Sequence, residues 1–111
     1  MSHEEYVALQ RRRVGALARD ILDGKLDILE GAREIVRLRH ELEVPEDDSD
    51  LNAFVVIESE TDTLPIGPQR EHWAVEVLAR REPELVEARR WAFEIAKQEC
   101  RNLVARFAPS N

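Results

Sequence analysis

The chain has 111 residues, 43% of them hydrophobic and 35% charged, with a formal net charge of −7 at pH 7. That length fits one domain with a core that needs neither disulfides nor a structural metal. The acidic balance argues against nucleic acid as a partner, and no apolar run approaches the ~18 residues that a membrane span requires.

A first helix is expected from His3, because Ser2 and Glu5 have capping-box spacing. Val7, Val14, Leu17, Ala18 and Ile21 then share one face, and Asp23-Gly24 ends the helix. Asp27 and Glu30 repeat the capping spacing for a second helix with Ile28, Ala32, Ile35 and Leu42 as its apolar stripe. Pro45 stops it before an acidic loop at about 43–50. The stretch "LNAFVVIE" (51–58) is β-branched enough for a strand. No second strand is available to pair with it, so a short helix capped by Ser49 or Asp50 is the better reading. A Pro/Gly corner follows at about 61–68. The last helix is expected to open on Pro83 and to run to about Phe107, roughly 37 Å long. Its stripe is Leu85, Ala88, Ala92, Ala96, Cys100, Leu103 and Phe107. Its overhang beyond the shorter helices leaves a homodimer through this helix open.

The charge is unevenly placed. Residues 41–62 hold nine of the 23 acids (Glu41, Glu43, Glu46, Asp47, Asp48, Asp50, Glu58, Glu60, Asp62) and none of the 16 Lys and Arg. This reads as an unbroken negative field suited to a basic protein partner, or as a solubility device.

Enzymatic chemistry finds little support. Asp48, Asp50 and Asn52 match the first calcium-loop ligands. Ala53 stands where the loop needs glycine, and Ser59 where it needs a bidentate Glu. His3, His40 and His72 have no second His or Cys within one helical turn. Glu30 with Glu34, and Glu84 with Glu87, are acid pairs a turn apart. They keep a metal-dependent helical nucleotide hydrolase as the alternative function. Arg11–Arg13 and the doublets Arg80-Arg81 and Arg89-Arg90 fan around a helix axis and form no stripe for a phosphate backbone. The lone Cys100 lies on the apolar stripe, where a thiol serves packing, and it suits a reducing compartment. "MSHEEYVALQRRR" has no apolar segment of the kind a signal peptide carries, so a soluble cytoplasmic protein is expected.

The stretch "SETDTLPIGPQREHW" (59–73) departs from the charged helical pattern around it. Pro65 and Pro68 fix φ and Gly67 permits the turn between them. Asp62 is placed to pair with Arg70, and Trp73 to pack beneath the loop. A rigid corner carrying polar groups also suits recognition. Ser59–Asp62, Leu64, Pro65, Gly67, Arg70 and Trp73, with "FVVIESE" and "LEGAREIVRLRHEL" before them, resemble a pattern in small bacterial proteins of unknown function. The resemblance covers about residues 20–100 and transfers no catalytic residue and no ligand.

The expectation is therefore an all-α domain of four or five helices with a long last helix. It acts as a non-enzymatic protein-binding module, toxin-neutralising or adaptor-like, that presents an acidic face to a basic protein. Partner contacts are expected at Asp47, Asp48, Asp50, Glu58, Glu60, Asp62, Arg70, His72 and Trp73. No cofactor, metal or catalytic residue is assigned.

Overall fold

The computed structural model describes residues 1–108, which form an all-α domain, 79% of the chain being helical. Four α-helices run α1 (His3–Leu22), α2 (Ile28–Leu38), α3 (Ser49–Glu60) and α4 (Val75–Phe107). Two 3-10 turns, Arg39–Glu41 and Gly67–His72, complete the order. None of the described helices is long and apolar enough to cross a membrane.

Local signals account for most of the helix ends. The Ser2 hydroxyl accepts from the Glu5 N–H at 3.0 Å, and an Asp27 carboxylate oxygen accepts from the Glu30 N–H at 3.4 Å. Gly24 closes the link after α1 with φ 74°, a backbone conformation that costs glycine little. At α3, Asp48 is the cap, its Oδ1 accepting from the Asp50 and Leu51 N–H groups at 3.1 and 3.3 Å. The β-branched run 55–57 is therefore helical. Leu51, Phe54 and Ile57 enter the core while Val56 stays 48% exposed.

Three boundaries differ from the sequence reading: α2 ends at Leu38 in a 3-10 turn short of Pro45, the cap of α3 is Asp48 and not Ser49 or Asp50, and the last helix starts earlier than expected. Pro83 does not open the last helix but lies inside it, and α4 begins at Val75. A proline interrupts a helix by removing one N–H and crowding the carbonyl four residues back, here that of Ala79. The good helix formers around it (Leu78, Ala79, Arg80, Arg81, Glu82, Glu84, Leu85) carry the backbone through. At ~1.5 Å per residue, 33 residues reach about 50 Å, against a longest molecular dimension of 48 Å. The helix thus spans the whole molecule.

Three helices pack on its C-terminal two thirds. Leu85, Ala92, Ala96, Cys100 and Leu103 are fully buried against Val14, Ala18, Leu29, Ile35, Phe54 and Ile57. The small-residue stripe is therefore occupied from within the chain. α1 runs antiparallel to α4: Gly15 meets the backbone of Phe107 and Ala108, while Asp27, beyond the other end of α1, pairs with Arg89 at 2.8 Å. Cys100 is a free, buried thiol, its pKa pushed up to about 12 by burial and then by neighbouring Glu99.

Candidate partner-binding surface

The acidic run is divided between the two ends of α3, and the ends differ in chemistry. At the N-terminus, Asp48 and Asp50 sit where unsatisfied N–H groups and the helix dipole favour negative charge. Arg106, from the last turn of α4, reaches both carboxylates at 2.8 Å. The Asn102 side-chain amide also donates to Asp50 at 2.8 Å. The Arg106 hydrogen bonds hold the Asp48 carboxyl below its ordinary value, against the opposing effect of burial. These two acids hold the fold together, and the expected unbroken field is interrupted here. The calcium reading also lapses, because residues 49–60 form a helix and do not wrap an ion. Asp47 stays exposed beside them.

The C-terminus of α3 is the opposite case. Glu58 and Glu60 lie in its last turn and Asp62 just beyond, against the negative end of the dipole, with no basic residue in that turn. None of the three forms an ion pair among the described residues. Glu58 and Asp62 line a shallow groove of about 320 Å³ with Arg33, Val36, Arg37 and Gln69. Glu60 faces the other side, in a groove of about 210 Å³ with Thr61, Leu64, Glu84, Ala88 and Trp91. Arg37 and Arg33 both line the first groove and both are engaged elsewhere, Arg37 with Glu34 at 2.7 Å and Arg33 with the corner. Arg33 Nη2 donates to the Thr61 and Leu64 carbonyls at 2.9 and 3.4 Å, and its Nη1 to Gln69 Oε1 at 3.2 Å.

That clamp replaces the contact expected to pin the corner. Asp62 and Arg70 form no ion pair; Arg70 donates instead to the Pro65 carbonyl at 3.4 Å. Trp73 does not lie beneath the loop. Leu64, Pro65, Ile66 and Thr61 fill that space, with the Thr61 hydroxyl donating to the Ile57 carbonyl at 2.7 Å. The Trp73 ring is half-exposed, with the Arg81 guanidinium 5.3 Å from its centroid. Short aliphatic side chains close a tight corner better than an indole whose N–H needs a partner. His72 is exposed at its edge.

The surface that remains accessible thus comprises Glu58, Glu60, Asp62, Arg70, His72 and Trp73 at one end of α3, with Asp47 set apart at the other. Sequence reading missed Arg33 and Arg106, whose partners lie about 30 and 57 positions away and leave no local pattern. Val75, 76% exposed next to Trp73, was also missed, although the apolar run "WAVEVLA" signals it. Among the described residues, every buried side-chain nitrogen or oxygen has a hydrogen-bond partner. No three His, Cys, Asp or Glu side chains among them gather to hold a metal ion. No protein-family model, curated protein or solved structure matches this chain.

Proposed function

We propose that this chain is a non-enzymatic protein-binding module that presents the acidic end of α3, and the rigid corner beside it, to a basic protein partner. The observation that carries this reading is the position of Glu58, Glu60 and Asp62. Acids against the negative end of a helix dipole, none of them ion-paired, each cost about 0.3–1 kcal/mol in the free molecule. A basic partner relieves that cost on binding, which makes the patch a source of affinity and of electrostatic steering. Trp73, half-buried at the end of the corner, supplies an aromatic anchor of the kind found at the centre of protein interfaces. Toxin-neutralising and adaptor proteins use small acidic helical domains in this way. The proposed location is the cytoplasm, which suits the free thiol of Cys100.

The test is affinity capture from the native host with the wild-type chain and with Glu58→Gln/Glu60→Gln/Asp62→Asn, at low and high salt. The expected result is a basic protein retained by the wild type, less at high salt, and lost with the triple variant. Equal retention by both chains, or retention insensitive to salt, would sink the reading.

A further inference from the structure

Three of the large hydrophobic side chains that the fold leaves exposed lie on α4: Val75 at 76%, Val86 at 47% and Phe93 at 38%. Their separations of 11 and 7 residues are the two spacings that nearly close on a helix. All three therefore fall within about 20° of one line. Ala79, Glu82, Arg90 and Lys97 lie on that stripe and are exposed as well. It runs along the flank of α4, beside the face that packs on the other three helices. It also continues onto the N-terminal turns, which extend past the core.

We propose that this stripe is occupied by the same stripe of a second copy, with the two α4 helices antiparallel about a two-fold axis at Val86. The self-complementarity of the stripe carries the inference. With the axis at Val86, Val86 meets the partner's Val86, and Ala79 faces the partner's Phe93, small against large. Glu82 faces the partner's Arg90 and Val75 the stem of the partner's Lys97, and the symmetry makes every contact but that of Val86 with itself twice. Parallel packing sets Glu82 on the partner's Glu82 and Arg90 on the partner's Arg90. Moving the axis four residues toward the N-terminus sets Glu82 against its own copy, and moving it four residues the other way sets Arg90 against its own copy. Of these arrangements, the Val86 register sets Glu82 and Arg90 against opposite charges. The contacts these groups make within one chain are weak competitors. Arg90 pairs with Glu87 at 3.2 Å with both side chains more than half exposed, and Glu82 lies 3.9 Å from Arg89.

Sedimentation equilibrium on the full chain, from low micromolar to near-millimolar concentration, tests this. The mass is expected to rise from 12.8 kDa toward twice that value. Glu82→Arg or Arg90→Glu alone sets like charges against each other and should weaken association at least tenfold. The double swap Glu82→Arg/Arg90→Glu should restore it. Val86→Arg should leave a monomer. All three positions are solvent-exposed in one chain, and circular dichroism of each variant verifies folding. A wild type that stays monomeric throughout overturns the proposal. So does a dimer indifferent to Val86→Arg, or one weakened by Glu82→Arg that the double swap fails to recover.

Discussion

At Gly15 a hydrogen in place of a methyl group sets how closely α1 approaches the end of α4. A Cβ there would stand 2.4 Å from the Ala108 nitrogen and 2.7 Å from the Phe107 carbonyl carbon. In an exposed helix, Gly→Ala gains about 1 kcal/mol of propensity. Overpacking against backbone costs about 1–3 kcal/mol, so the sign of the effect is diagnostic. Gly15→Ala is expected to lower stability in urea unfolding, and a stabilised variant would mean that the end of α4 is not seated on α1. Asp48 is the second decisive residue. Arg106 lowers its folded pKa, so the pair's contribution is fully present above the ordinary carboxylate value near 3.9 and is lost as pH falls through the lowered folded value. Asp48→Asn keeps the helix cap but removes the charge. Its stability deficit should therefore be constant near neutrality and shrink toward zero in acid, as pH titration of the urea midpoint would show. No deficit at neutral pH, or one that persists unchanged in acid, would mean that the Asp48 charge gains nothing from Arg106.

Among the elements, α4 is the one with unequal halves. Leu85 to Leu103 lie buried in the core, whereas Val75 to Glu82 extend beyond it and are joined to it through Pro83. The missing N–H leaves the Ala79 carbonyl without its helical donor, a defect costing about 3 kcal/mol in a helix interior. Local opening should therefore be easiest in the first two turns. Hydrogen exchange is expected to show the amides of 76–82 exchanging well before those of 92–103. Pro83→Ala should slow them at least tenfold, since ~1.4 kcal/mol is a factor of ten. Unchanged exchange would mean that the Trp73–Arg81 contact, not the helix backbone, holds these turns.

The whole molecule separates its acids by task. Those at the start of α3 are bound to α4, and those at its end are left to solvent. Removing the second group should cost no stability. Glu58→Gln/Glu60→Gln/Asp62→Asn is expected to melt at or above the wild-type temperature, because each change relieves about 0.3–1 kcal/mol of unfavourable dipole interaction. A lower melting point would make these acids structural and remove the ground for the binding proposal. Asp48 and Asp50, expected as partner contacts, are instead tied into the fold by Arg106.

The sequence by itself determined the fold class, the helix starts at Ser2 and Asp27, the stop at Gly24 and the buried face of the last helix. Each depends on residues within a turn or two of one another, through caps, periodicity and backbone preference. It also located the acidic excess and the corner. Tertiary structure alone decided that Arg33 pins the corner and that Arg106 divides the acids into bound and accessible sets. Those outcomes rest on groups brought together from distant parts of the chain. A long-range ion pair or carbonyl clamp has no spacing to read, because the fold, not the local backbone, sets the distance between its partners.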